Sequence, residues 1–212
     1  MTKKFDLKRL SFGLLAVSAL AASLSACVPL VVGGAAVGGV MVAADRRTSG
    51  AQLDDEGIEL KAVNRIGDYF GDKVHVNVTS FNRQVLLTGE VPTAEQKERV
   101  LQIVNKVENV RSVVDETAVM ASSSLSTRSS DTLVTGKVKA TLVDAKDLQA
   151  NSFKVVTERG TVYLMGRVTQ READRATQLV RTISGVSKVV RLFEIITEQE
   201  LNTLQTTNKT AK

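Results

Sequence analysis

Few side chains in this 212-residue chain could do chemistry: it has one cysteine, Cys27, and one histidine, His75. A lone thiol leaves no disulfide, no thiolate metal site and, where it is acylated, no cysteine nucleophile. His75 alternates outward from a strand-like run, so a surface role fits it better than general-base catalysis. Asp54-Asp55-Glu56 is the densest acidic cluster, but it opens a helical pattern, where acids favour the dipole. No His/Asp/Glu set has metal-ligand spacing, and no Gly-x-x-x-x-Gly-Lys cradle for phosphate occurs. The sequence therefore predicts a non-enzyme with no metal, no cofactor and no small-molecule substrate.

Cys27 is the exception, because its setting predicts covalent modification. Lys3, Lys4, Lys8 and Arg9 precede an apolar run from Leu10 to Leu24, the order of a bacterial secretory signal. The run is too short and wrongly flanked for a spanning helix. Leu24-Ser25-Ala26-Cys27 then resembles the lipobox of bacterial lipoproteins. The alternative is an ordinary signal that happens to end near a cysteine, but all four box positions fit. The resemblance implies cleavage before Cys27, three acyl chains there, and an anchor that holds to a membrane without spanning it. Val28 stands where inner-membrane retention would want Asp, so the resemblance implies the outer membrane, facing the periplasm.

Charge excludes one class of partner. The chain carries 28 Lys+Arg against 23 Asp+Glu, and removing residues 1–26 leaves 24 against 22. A net of +2 is too weak to argue for nucleic acid. Residues 28–44 are uncharged and hold four glycines. They read as a flexible or surface-lying tether, with self-association through Gly34 and Gly38 or deeper insertion as alternatives. A flexible tether up to Asp54 would reach roughly 30 Å.

The elements that follow come twice. Gln84–Val91 returns as Thr161–Val168 after 77 residues; Ile58, Ala62 and Ile66 return as Val134, Val138 and Leu142 after 76. Val110, Val113 and Val114 return as Val186, Val189 and Val190, so three separate patterns declare one repeated unit. Each copy reads helix, strand, strand, helix, strand. Apolar residues at helical spacing set the first helix, and Val74, Val76 and Val78 alternate in the first strand. Thr93 with Gln96, and Thr169 with Glu172, predict capping boxes on the second helix. The fold class is thus α+β: two tandem αββαβ units, each a small three-stranded mixed sheet packed on two helices. The boundaries are 1–26 signal peptide, 27–53 acylated tether, 54–120 first unit, 121–130 Ser-rich linker, 131–198 second unit and 199–212 frayed polar tail.

This order, with Gly-x-Val after the second strand and Gly185-Val186-Ser187-Lys188-Val189 after the last helix, resembles the BON domain family. Asn109 replaces the signature glycine in the first copy. Signal, lipobox and repeat together are similar to the dual-BON outer-membrane lipoproteins. That resemblance implies binding of anionic phospholipid at the first helix of the second unit, and support of envelope integrity, stress tolerance and division. The residues agree in part: residues 54–119 hold a net −4 and residues 131–198 a net +3, and basic residues favour an anionic surface. Leu133, whose counterpart is Gly57, lies about 100° off the core stripe, with Lys137 one turn along and Lys139 on the flank. It reads either as an exposed apolar anchor or as peripheral core. Some relatives carry Trp where Leu133 stands; this chain has none. Arg159 in the second hairpin is a further expected headgroup partner. The other function class is a protein-binding adaptor for envelope assembly or division machinery, using the acidic first unit at Glu95, Glu98 and Glu108.

Overall fold

The structure is a computed structural model and describes residues 45–210; Cys27, the signal and most of the tether lie outside the described residues. Helix α1 (Ser49–Phe70) starts under the Thr48 side chain, which accepts from Ala51 N–H. Strands β1 (His75–Phe81) and β2 (Gln84–Val91) form an antiparallel hairpin. Helix α2 (Ala94–Asn105) crosses over to β3 (Ser112–Asp115) and β4 (Ala118–Val119), both parallel to β2. The second unit repeats this with α3 (Leu125–Asp144), β5 (Phe153–Glu158), β6 (Thr161–Val168), α4 (Gln170–Arg181) and β7 (Lys188–Ile195). Strand order is β1-β2-β3 in one sheet and β5-β6-β7 in the other.

Alternation along the central strands explains how the two units meet. Val85 and Leu87 of β2 face α1 and α2, packing with Ile58, Ala62, Val100 and Val104. Val162 and Leu164 of β6 likewise face α3 and α4. The intervening residues point the other way, and there Phe81 and Leu86 pack directly on Tyr163 and Met165. Each sheet therefore has helices on one face and the other sheet on its second face. Period-2 side chains require this whenever both faces are apolar.

Helices extend into three segments that the sequence reads as tether, linker and tail. The tether was expected to run to Asp54, but Arg46 is buried and α1 begins at Ser49. The linker was expected over 121–130, yet α3 starts at Leu125 because Ser124 accepts from Thr127 N–H as its N-cap. Serine is a strong capping residue, so a Ser-rich run can open a helix as well as separate domains. The tail was expected to fray; instead α5 (Glu198–Thr210) forms, with Leu201 buried and Glu200 paired to Arg167 at 2.6 Å.

Gly89 and Gly166 earn their place by close approach. A Cβ on Gly89 would lie 2.1 Å from the His75 carbonyl oxygen, and one on Gly166 2.3 Å from that of Ser152. Asn109, at φ 67°, takes the left-handed turn that Gly185 takes at φ 97°. Asn tolerates that region through local hydrogen bonding, and here its amide donates to Asp54 at 2.8 Å.

Candidate lipid-contact face and interdomain clamp

Helix α3 buries Val134, Val138 and Leu142 and turns the opposite side outward. Leu133 is 67% exposed. Lys137 stands one turn along and Lys139 on the flank; both are exposed, and neither has an ion-pair partner among the described residues. Ala140 and Val143, the latter 68% exposed, continue the apolar strip along the same side. Sequence reasoning named Leu133 and the lysines but missed Val143. The signal was present: Leu133, Gly136, Ala140 and Val143 follow i, i+3, i+7, i+10.

The Arg159 side chain, expected at a headgroup, is turned toward the first domain. Its guanidinium reaches across to the first domain, donating to Glu90 Oε1 at 2.8 Å and to the Gly89 carbonyl at 3.1 Å. Glu90 is fully buried. Its other oxygen faces His75 Nδ1 at 2.9 Å and accepts from Ser123 N–H at 3.1 Å. Burial alone would raise this carboxyl, but hydrogen bonds from His75, Ser123 and Arg159, with the Arg159 charge, hold it below the ordinary value. Thus His75, rather than standing free on a surface, orients a buried carboxylate.

A second clamp joins the incoming chain to the second domain. Arg46 forks onto Glu172 at 2.7 and 2.8 Å and donates to the Arg167 carbonyl. Glu172 is also the reciprocal member of the α4 capping box with Thr169. Burial pushes Glu172 up; Arg46 and the Thr169 N–H outweigh it and hold it low. The next residue, Arg47, pairs with Asp55 of the first domain at 2.7 Å and lies 4.4 Å over the Phe81 ring. Lys154 to Glu59, at 2.7 Å, adds a further cross-domain pair.

Asp55 does not serve the helix dipole, as its place in the acidic cluster suggested. It is buried inside α1 and accepts from the Asn82 and Arg83 N–H groups, both at 2.7 Å. Asp131 does the same for Arg159 and Gly160, at 2.8 and 2.9 Å. The four turn residues have positive φ, as a two-residue type I′ hairpin requires. Asp55 and Asp131 are 76 residues apart, so the repeat offset itself marked them. Among the described residues there is no acidic, His or Cys group able to hold a metal ion, and no helix long and apolar enough to cross a membrane.

Fold and clamp together define a face-to-face pair of αββαβ domains whose α3 turns Leu133, Lys137, Lys139 and Val143 to solvent. The BON domain model matches residues 54–121 and 130–197, and the chain belongs to the BON domain family. It is 37% identical over 175 residues to the outer membrane lipoprotein DolP of Haemophilus influenzae, covering 82% of this chain and 90% of that protein. It is 28% identical to the 21 kDa hemolysin of Actinobacillus pleuropneumoniae, over 72% of this chain and 79% of that protein. Osmotically-inducible protein Y of Escherichia coli is 30% identical, over 65% of this chain and 70% of its own.

Proposed function

We propose that this chain is a non-catalytic outer-membrane lipoprotein, acylated at Cys27 and facing the periplasm, whose second BON domain binds anionic phospholipid through α3. Likeness to the Haemophilus lipoprotein supports the address, and the lipobox supports the anchor. The observation that carries the lipid reading is Leu133, two-thirds exposed, beside Lys137 and Lys139, with no carboxylate paired to them among the described residues. An aliphatic side chain enters the headgroup layer while the ammonium groups meet phosphate, each basic residue contributing about 1 kcal/mol near an anionic surface. Supporting envelope integrity under stress, including at division sites, is the role such a doubly attached protein would serve.

Vesicle flotation tests the lipid site. Protein carrying residues 45–212 should float with phosphatidylglycerol-containing vesicles at low salt and not with neutral ones. Leu133→Glu with Lys137→Glu should abolish flotation. Failure of the unaltered protein to float would sink the reading.

A further inference from the structure

The first domain carries a feature at odds with its own charge. Between α1 and α2 lies a cleft of about 200 Å³ lined by Arg65, Tyr69, Arg99, Gln102, Ile103 and Lys106. Three cations line one groove on a domain whose net charge is −4. Arg65 is held by Glu108 at 2.9 Å, and Glu108 also takes Lys61. Arg99 lies 4.7 Å over the Tyr69 ring and donates only to the neutral Gln102, and Lys106 has no ion-pair partner among the described residues. Two cations therefore have no carboxylate paired to them among the described residues, beside a ring that is 57% exposed.

The repeat shows that this is not a by-product of the fold. At the 76-residue offset Arg65, Tyr69 and Lys106 become Thr141, Ala145 and Thr182. Arg99 becomes Arg175, which is tied to Asp147 at 3.0 Å. The second domain keeps the helices and loses the cationic cleft.

We propose that this α1–α2 cleft docks an acidic segment of a partner protein, with an apolar side chain against Tyr69 and Ile103 and carboxylates on Arg99 and Lys106. Charge complementarity chooses the occupant. A cation stacked on an aromatic ring still has its donors free for a carboxylate. A continuous anionic surface laid over the domain would meet Glu95, one turn before Arg99 on the same face of α2, together with the exposed Glu98 and Glu108, whereas a short segment can set its few carboxylates on Arg99 and Lys106 alone. The helices α1 and α2 also cover the sheet face turned away from the second domain, so the cleft and the α3 face address different partners. This docking surface does not depend on the lipid reading.

The acylated full chain in zwitterionic nanodiscs provides the test, with empty nanodiscs as blank. The probes are two dye-labelled hexapeptide pools, one alternating Asp/Glu with Leu/Phe and one with Lys in place of the acids, read by fluorescence anisotropy. The acidic pool should bind and weaken as salt rises. Arg99→Glu with Lys106→Glu should lower its affinity at least tenfold, while Arg175→Glu leaves it unchanged; circular dichroism checks that each variant is folded. No binding of the acidic pool, equal binding of both pools, or undiminished binding by the double variant overturns the proposal. Loss of anionic-vesicle flotation in that double variant would assign the cleft to the membrane and overturn it too.

Discussion

At the scale of single residues, the buried carboxylates govern. Glu90 is fully buried, and Arg159 is its cationic partner. Removing Arg159 takes one charged donor from a buried carboxylate that His75 and Ser123 still hold, a loss of about 1–3 kcal/mol. Arg159→Ala should therefore lower urea-unfolding stability by about 1–3 kcal/mol, while vesicle flotation of the folded variant holds, because Leu133, Lys137 and Lys139 remain. An Arg159→Ala protein of unchanged stability but lost flotation would return Arg159 to the membrane. None of this was legible in the sequence. Glu90 occupies an alternating strand position like any polar residue, and its partners lie 15, 33 and 69 residues away. Asp55 and Asp131 differ: they recur at the repeat offset, and Asp55 was hidden only by its acidic neighbours Asp54 and Glu56.

At the scale of elements, periodicity carried the reading and local chemistry corrected it. The stripes Ile58, Ala62, Ile66 and Val134, Val138, Leu142 are core, as their spacing predicts. Helix ends were less legible, since Thr48 and Ser124 cap their helices from segments whose composition suggests a loop. Helix α3 is apolar on two sides, so its outward strip hides in the sequence as weak amphipathicity. If the strip meets lipid along its length, Val143→Glu should weaken flotation several-fold without the full loss given by Leu133→Glu with Lys137→Glu. Binding by Val143→Glu equal to the unaltered protein would confine the contact to the Leu133 end.

At the scale of the molecule, two units joined by a short segment gave no sign of their packing in the sequence. Leu86 on the second face of β2, and Tyr163 and Met165 on that of β6, call for a covering layer, yet period-2 alternation does not name it. The structure supplies it as the other sheet, sealed by Arg159–Glu90 and by Arg46–Glu172. Both carboxyls are held below the ordinary 4.5 in the folded protein. A lowered folded value stabilises above the unfolded value and is lost as pH falls through the folded one. Thermal unfolding should accordingly begin to fall as pH drops below about 4.5, and a midpoint that stays level down to pH 3 would contradict the clamps.

The Arg46 strap has a mechanical consequence. Between Cys27 and Asp45 the chain can span at most about 60 Å, at 3.3–3.6 Å per residue. Any tension from an acylated end would arrive first at Arg46 and Arg47, upstream of α1. Arg46 passes load to Glu172 of the second domain and Arg47 to Asp55 of the first. A tug on the anchor would be shared by both domains before a single helical turn is asked to unwind.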